Sequence, residues 1–213
     1  MDNGGMIGRR NVPGVDGYSG VWSLREMADA RRSGLTFPAG IDSFASDSTA
    51  QYTQSADVNA TWSVSGGDLI ATGGTHALFI RNGASYTDAA VEADIYHAHD
   101  SGLVLRFINN SNYYMLILSD DSGAAPTGNI RIFRRSAGTI TQIGPSSDIV
   151  WPRSEPRQIR FQAVGTVLSA YVGGVKVISA TDSTHAGPGG VGMRNSTSGQ
   201  QSKFQEFRWG PLP

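Results

Sequence analysis

Two acidic side chains, Glu92 and Asp94, alternate along an apolar stretch and would project from one face of a β-strand. Two carboxyl groups about 5–5.5 Å apart can serve as nucleophile and acid/base in a retaining glycosidase. The competing interpretation is a solvated strand face that lies opposite the apolar residues Val91, Ala93 and Ile95. We favour the solvated face, and the sequence predicts no catalytic residues.

A second cluster, His97, His99 and Asp100, has a His-x-His spacing. On a strand this spacing puts both imidazoles on one side, as a pair of transition-metal ligands requires. No third ligand with a clear spacing accompanies them in the sequence. We therefore interpret the three as solvated loop residues and predict no metal site.

The third cluster is Trp151 with Arg153 and Glu155, on a stretch with loop character. Sugar recognition uses such a set, because an aromatic ring packs on C–H groups while charged groups hydrogen-bond to hydroxyls. Tyr86 and Tyr113 are expected to contribute from nearby turns. Alternatively, Trp151 covers an open end of the fold, as large aromatics often do.

Charge and cysteine content exclude several classes of function. Basic and acidic residues number 17 and 18 among 213, so nothing electrostatic points to nucleic acid or an anionic membrane as partner. The absence of cysteine excludes disulfides, thiolate metal sites and cysteine nucleophiles. We find no apolar signal peptide and no run of roughly 18 apolar residues, so we expect no membrane insertion.

Beyond residue 40 the apolar pattern has a period of two, which is typical of half-buried strands. The alternating stretches are residues 90–96, 102–108, 113–118, 129–133, 158–164, 167–172 and 175–178. Tight turns are predicted at Gly173-Gly174, at Asn82-Gly83 as a type I′ hairpin, at residues 136–138 and at Gly165. Longer loops are predicted at 119–128 and 144–156. Closely spaced strands without interleaved helices indicate an all-β, antiparallel two-sheet sandwich or jelly roll.

Ahead of the strands, residues 20–34 have complete signals for one short helix, at about 23–33. Ser23 and Glu26 have the spacing of a capping box, and Gly34 stands where a left-handed C-cap is expected. Trp22 and Met27 occupy the positions of a hydrophobic staple.

A helix this short is marginal alone in water, so it needs a surface to pack on. We predict that residues 1–40 form an extended arm with a docking helix and that residues 41–213 form the sandwich domain. The residues expected to dock are Trp22, Leu24, Met27 and Arg31.

From residue 41 to residue 209 the succession of motifs resembles the concanavalin A-like lectin/glucanase superfamily, in its laminin-G-like and jelly-roll branches. The similar segments are residues 42–44, 62 with 66–69, 91–95, 102–107, 112–116, 174–177, 181–184, 189–193 and 204–207. The resemblance implies a two-sheet jelly roll that binds glycans most often, binds proteins sometimes, and cuts polysaccharides in a minority of members.

The same resemblance bears on catalysis and metals. Glucanases of this superfamily carry three acids at alternate positions of one strand, but Ile95, Tyr96 and His97 follow Asp94 here, so the third acid is missing. Many relatives bind a structural Ca²⁺ through Asp and backbone carbonyls, and we otherwise expect no cofactor. The loop acids that could serve such an ion, without EF-hand spacing, are Asp120, Asp121 and Asp182.

Residues 20–26 and 30–34 resemble N-terminal segments of tailed-phage virion proteins. The resemblance implies a non-enzymatic structural protein exposed on a virion, docked through residues 1–40 to capsid, neck or tail proteins. The sandwich would bind host surface polysaccharide as a homo-oligomer, which we take to be a trimer. The alternatives are a secreted polysaccharide-active enzyme or its carbohydrate-binding module, and an inert decoration protein that stabilises a capsid.

Overall fold

The computed structural model describes residues 38–96, 99–120, 127–150, 155–196 and 201–212. The predicted helix, its caps Ser23, Glu26 and Gly34, and the docking residues Trp22, Leu24, Met27 and Arg31 lie outside these ranges. The division at residue 40 therefore stays a prediction. Among the described residues, no helix is long and apolar enough to cross a membrane.

The described residues form fifteen β-strands and one short 3-10 helix at Thr49–Gln51. The strands are β1 (Gly40–Asp42), β2 (Tyr52–Ser55), β3 (Thr61–Ser65), β4 (Asp68–Thr72), β5 (Ala77–Arg81), β6 (Ala89–Tyr96), β7 (His99–Asn109), β8 (Asn112–Asp120), β9 (Thr127–Ser136), β10 (Thr139–Val150), β11 (Arg157–Val164), β12 (Val167–Val172), β13 (Val175–Thr181), β14 (Gly190–Asn195) and β15 (Gln201–Pro211).

The strands form two antiparallel sheets that pack as a sandwich, which confirms the predicted fold class. The eight-stranded sheet has the order β13-β12-β11-β6-β15-β4-β3, with β1 also paired to β15. The seven-stranded sheet has the order β10-β9-β8-β7-β14-β5-β2. Consecutive strands β7 to β10 form a meander, whereas β14 and β5 are neighbours despite lying far apart in the sequence.

The period-two pattern sorts apolar side chains into two buried clusters. The larger cluster lies between the sheets and includes Leu103, Leu105 and Phe161. The smaller includes Val104 and Met115 and lies on the other face of the seven-stranded sheet, because successive residues of a strand point to opposite faces. Apolar burial on both faces of one sheet is unusual for an antiparallel sandwich, whose outer faces are commonly solvated.

Most predicted turns are confirmed, but one is wrong. Gly173 and Gly174 both have positive φ and join β12 to β13, and Ala137 with Gly138 joins β9 to β10. At Asn82-Gly83 only the glycine has positive φ, and the following strand, β6, belongs to the other sheet. This turn therefore directs the chain from one sheet to the other and is not a type I′ hairpin, which needs positive φ at both central residues.

The predicted loop at residues 144–156 is also wrong over its first half, because β10 continues to Val150. A register shift between Gln142 and Ser146 marks a bulge that contains Pro145, and Gly144 adopts a φ of 74° there. β10 is the edge strand of its sheet. Proline is tolerated at a bulge on an edge strand, since no ladder hydrogen bond from its nitrogen is needed.

A fully buried arginine fastens one end of the sandwich. Arg106 is 1% exposed and sits at a register shift in β7, with a φ of 49°. Its guanidinium donates to the carbonyl oxygens of Thr87 (2.8 Å), Gly165 (2.6 Å) and His185 (3.2 Å), and to Asp88 Oδ1 (3.3 Å). These bonds join the segments that precede β6 and β14 to the turn between β11 and β12.

Candidate functional site

We call the face of the seven-stranded sheet that is turned away from the other sheet the concave face. It is defined by Leu78, Val104, Tyr113, Met115, Phe133 and Arg194. The first four side chains are each 0% exposed and Arg194 is 1% exposed, while Phe133 is half-buried. The surface therefore has a deeply buried floor and a more accessible rim.

One ion pair shows that this face is curved. Asp57 lies just after β2, the last strand of the sheet, whereas Arg135 is on β9, five positions away in the strand order. At about 4.8 Å per strand, a flat sheet would separate the two strands by roughly 24 Å. Instead Arg135 Nη2 donates to both carboxylate oxygens of Asp57, at 2.8 and 3.0 Å. The sheet must curl, and the segment after β2 must lean over the face.

The charge on Asp57 is fixed by its partners. Burial works against ionisation, but hydrogen bonds from Arg135 and Asn110 hold the pKa of the Asp57 carboxyl below its usual range. The carboxylate is therefore an ionised structural partner rather than a proton donor at neutral pH. The Asp57–Arg135 ion pair links the segment after β2 to β9 across the concave face.

Several polar atoms of the concave face are buried without a hydrogen-bond partner. They are Nε of Arg131, Nε of Arg194 and the amide oxygen Oδ1 of Asn129. Tyr113 and Arg135 lie in the same region, where the Arg135 guanidinium donates to the Tyr113 hydroxyl oxygen. Burial raises the pKa of the Tyr113 phenol, which therefore remains a protonated donor at neutral pH. Buried donors without partners are rare in folded proteins and require an explanation, such as a ligand that supplies the acceptors.

Aromatic rings lie beside these donors. Phe107 contacts the Tyr113 ring at a centroid distance of 6.1 Å, and the guanidinium of Arg131 lies 5.5 Å from the centroid of the Phe133 ring. Phe107 and Phe133 are both half-buried and pack on the floor of the face. An apolar floor with a few convergent polar groups is the usual composition of a small-molecule site.

The structure separates the residues predicted to bind sugar. Tyr113 is on the concave face, but Tyr86 packs against the cluster between the sheets and pairs with Gly189, so the two tyrosines do not share a site. Glu155 is exposed, 3.6 Å from Arg157, and lies two residues before β11. Trp151 and Arg153 lie outside the described residues, and their predicted role is untested.

Glu92 and Asp94 share the outer face of the eight-stranded sheet, opposite buried Val91 and Ala93, as predicted. They are less solvated than expected. Glu92 is 13% exposed and accepts a hydrogen bond from Arg208 at 2.8 Å, and Arg208 also pairs with Glu206 at 2.7 Å. Burial raises the pKa of Glu92 and of Asp94, against the opposing charge of Arg208. Glu92 therefore belongs to an ion-pair network with Arg208 and Glu206 on the face remote from Tyr113, and Asp94 feels the charge of the same arginine.

The metal hypotheses gain no support from geometry. Within the described ranges, no three His, Asp or Glu side chains are grouped so that they could hold a metal ion. Asp182 accepts hydrogen bonds from Arg134 and the Tyr114 hydroxyl, both at 2.6 Å. His97, Asp121 and the side chains of His99 and Asp120 lie outside the description, so a structural Ca²⁺ remains a prediction.

His76 gives the concave face a pH dependence. Burial, with the nearby charges of Arg194 and Arg135, lowers the pKa of His76 below its ordinary value of 6.5. The unfolded chain then binds a proton at a higher pH than the folded chain, so stability is lost as pH falls below about 6.5. We expect His76→Asn to make this loss shallower, measured as the urea midpoint between pH 7.5 and pH 5. Asparagine tolerates the φ of 46° at this position. Equal pH slopes for the two proteins would contradict the assignment.

Arg131, Phe133 and Arg194 are site residues that were not predicted from the sequence. Alternation within residues 129–133 was sufficient to place Arg131 and Phe133 on one face of a strand. Arg194 had no comparable signal, since its position on this face depends on the pairing of β14 with β7 and β5.

The comparisons with known proteins show the fold and no family. No family model matches the chain, and no curated protein sequence matches it. Among solved structures, the carbohydrate-binding module CBM66 from Bacillus subtilis is similar at 19% identity and a TM-score of 0.59, over 75% of this chain and 94% of that one. A galectin-like protein of unknown function from Bacillus subtilis matches at 14% identity and 0.58, over 82% and 97%. Bacillus licheniformis β-glucanase matches at 10% identity and 0.59, over 80% and 96%.

Proposed function

We propose that this protein binds carbohydrate on the concave face of its seven-stranded sheet. The observation that carries the proposal is the combination, on one face of the seven-stranded sheet, of half-buried aromatic rings with the buried Nε groups of Arg131 and Arg194, which have no acceptor among the described residues. A sugar supplies what both features need, because its C–H faces pack on rings and its hydroxyl oxygens accept hydrogen bonds. Phe107 and Phe133 would provide the packing, and the Tyr113 hydroxyl and the Arg131 guanidinium would provide donors.

The similar solved structures support this proposal at the level of fold. They include a carbohydrate-binding module and a glucanase, and they match most of the sandwich. At such low identities the likeness reaches the architecture and not the residues of a site. The residues of the concave face therefore carry the functional part of the proposal.

We expect binding without hydrolysis. The acids described on the concave face are each engaged: Asp57 by Arg135, Asp100 by Ser119 and Asp148 by Asn129. A retaining glycosidase needs two carboxyls on one side of the substrate, with one free to act as an acid. The alternative, a polysaccharide-active enzyme, is tested by assaying new reducing ends; release that is lost in Glu92→Gln would establish it.

Phe133→Ala is expected to weaken glycan binding at least tenfold, because a central aromatic contact typically dominates such an interface. The measurement is isothermal titration against oligosaccharides of xylan, of mixed-linkage β-glucan and of galacturonan. Tyr171→Ala is the matched control, since Tyr171 lies against Arg160 on the outer face of the other sheet. An equal loss in both variants, or no loss in Phe133→Ala, would place the site elsewhere.

A second, more specific proposal concerns where the protein acts. Residues 1–40 would attach this sandwich to a phage or phage-like particle, and the protein would be exposed on the virion as a homo-oligomer. This proposal rests on the capping pattern of residues 23–34 and on the resemblance of this segment to phage virion proteins. None of the solved structures named above is a phage protein. Mass spectrometry of purified particles tests the proposal; absence of the chain from them would end it. An inert decoration protein would be present in particles yet bind no member of the oligosaccharide panel.

A further inference from the structure

Arg194 is a buried cation without an ionic partner. Its side chain is 1% exposed, and no carboxylate lies within ion-pair distance of it in the part of the chain that the structure describes. Nη1 donates to the backbone carbonyl of Asp100, and Nη2 lies 3.2 Å from Nδ1 of His76. Nε has no partner. The Asp100 carboxylate favours the charge of Arg194 without forming an ion pair with it. A buried guanidinium without a directly paired anion is costly, so its surroundings favour the arrival of one.

A second guanidinium lies close to the first on the same face. Arg131 Nη2 donates to the hydroxyl of Ser119 at 2.8 Å, and that hydroxyl donates to Asp100 Oδ1 at 2.9 Å. Arg131 and Arg194 therefore bind opposite ends of one short hydrogen-bonded chain through Asp100 and Ser119. Nε of Arg131 is also buried without a partner, and among the described residues no acid forms an ion pair with this side chain.

The positions between the two arginines have small or apolar side chains. Arg194 pairs in register with Gly102, Gly102 with Ile117, and Ile117 with Arg131, so the four positions form one row across four strands. Glycine contributes no side chain to this row, and Ile117 is an apolar side chain that is 6% exposed. Arg194, Gly102 and Ile117 are buried and Arg131 is half-buried, so an anionic group would reach this row from the Arg131 end. There it would meet two cations and an apolar base, beside the Asp100 carboxylate that Ser119 already binds.

We infer that the ligand of the concave face is an acidic glycan, whose carboxylate or sulfate group is bound by Arg194 and Arg131. The inference rests on the proposed function and adds the chemical class of the sugar. Guanidinium groups suit this task because their N–H groups match the oxygens of such anions and their charge strengthens each hydrogen bond. The sugar ring bearing the anion would pack on Phe133, beside the Arg131 guanidinium.

The test compares matched ligands on the full-length chain. Trigalacturonate and its methyl ester have the same rings and differ in the charge of their carboxyl groups. Alginate and κ-carrageenan oligosaccharides extend the acidic half of the panel with other uronates and with sulfate, and oligosaccharides of xylan and mixed-linkage β-glucan extend the neutral half. We expect at least one acidic ligand to bind about tenfold or more tightly than any neutral one, as charge-assisted hydrogen bonds predict.

Arg131→Met should remove about tenfold of the affinity for the acidic ligand and leave binding of neutral sugars nearly unchanged. Arg160→Met is the matched control, because it removes the same charge from the outer face of the other sheet. Arg194→Met should have the same effect as Arg131→Met, provided that its thermal melt shows a folded protein. If Arg194→Met does not fold, Arg131→Met still decides the test, because Arg131 is the more accessible residue.

The outcomes separate the two proposals. Binding confined to neutral sugars, or equal binding of trigalacturonate and its ester, would overturn the acidic class and leave carbohydrate binding intact. An equal loss in Arg160→Met and Arg131→Met would show a general charge effect and would also overturn the assignment. If no acidic and no neutral oligosaccharide of the panel binds, carbohydrate binding itself is overturned.

Discussion

Replacing Arg106 with methionine is expected to lower the free energy of unfolding by about 3–5 kcal/mol, the range for removing one partner of a buried, charged network. The methionine retains part of the packing but removes every donor. Three backbone carbonyls, of Thr87, Gly165 and His185, then lose the guanidinium that satisfies them. Chemical unfolding in guanidinium chloride, fitted with a shared slope, measures the loss.

Arg157→Met is the control for this experiment. Arg157 has the same charge, but its side chain is 38% exposed and its partner Glu155 lies 3.6 Å away. An exposed pair of this kind contributes little, so we expect a change within about 0.5 kcal/mol. If both variants lose the same stability, Arg106 does not fasten the end of the sandwich.

Phe79→Ala is expected to cost a further 3–5 kcal/mol or so, as aromatic truncations in protein cores do. The Phe79 ring is stacked between Tyr52 and Trp62, with centroid distances of 4.7 Å on both sides and interplanar angles of 10° and 6°. Its removal leaves a cavity and eliminates two stacking contacts at once. Urea unfolding followed by tryptophan fluorescence measures the change, and Trp62 itself reports the loss of the stack.

Phe133→Ala removes the same side chain from the rim of the concave face and serves as the comparison. Because Phe133 is only half-buried, its truncation should cost roughly 1 kcal/mol. The prediction requires the two variants to differ by about 2 kcal/mol or more. Equal losses would mean that the stack of three rings does not contribute more than ordinary burial.

Local pattern was sufficient for strands and for turns between sequence neighbours. The stretch predicted at residues 167–172 coincides with β12, and the glycines at 173 and 174 form the turn that follows. Both features depend on residues only a few positions apart. At Asn82-Gly83 a similar turn motif led to the wrong prediction of a hairpin, because β5 pairs with β14 and β2 and not with the next strand. Strand order is a property of the whole chain, and no short motif contains it.

The same limit applies to the candidate site: contacts within one strand were predictable from the sequence, and contacts between distant strands were not. Arg131 and Phe133 are two residues apart on one strand, so their shared face was predictable. The link from Arg194 to Arg131 passes through β7 and β8, and the Asp57–Arg135 pair spans five strand positions. The curl that brings these groups together comes from packing over the whole sheet. A buried cation without an ion-pair partner, such as Arg194, cannot be recognised until that packing is known.

Amide hydrogen exchange on the full chain, measured with and without a saturating oligosaccharide identified by the titrations, tests the concave face most directly as the binding surface. Slower exchange should be confined to peptides from β7, β8, β9 and β14, which carry Phe107, Tyr113, Arg131, Phe133 and Arg194. Protection confined to β6, β11 and β15 would instead place the sugar on the eight-stranded sheet beside Glu92 and Asp94, and would contradict the assignment made here.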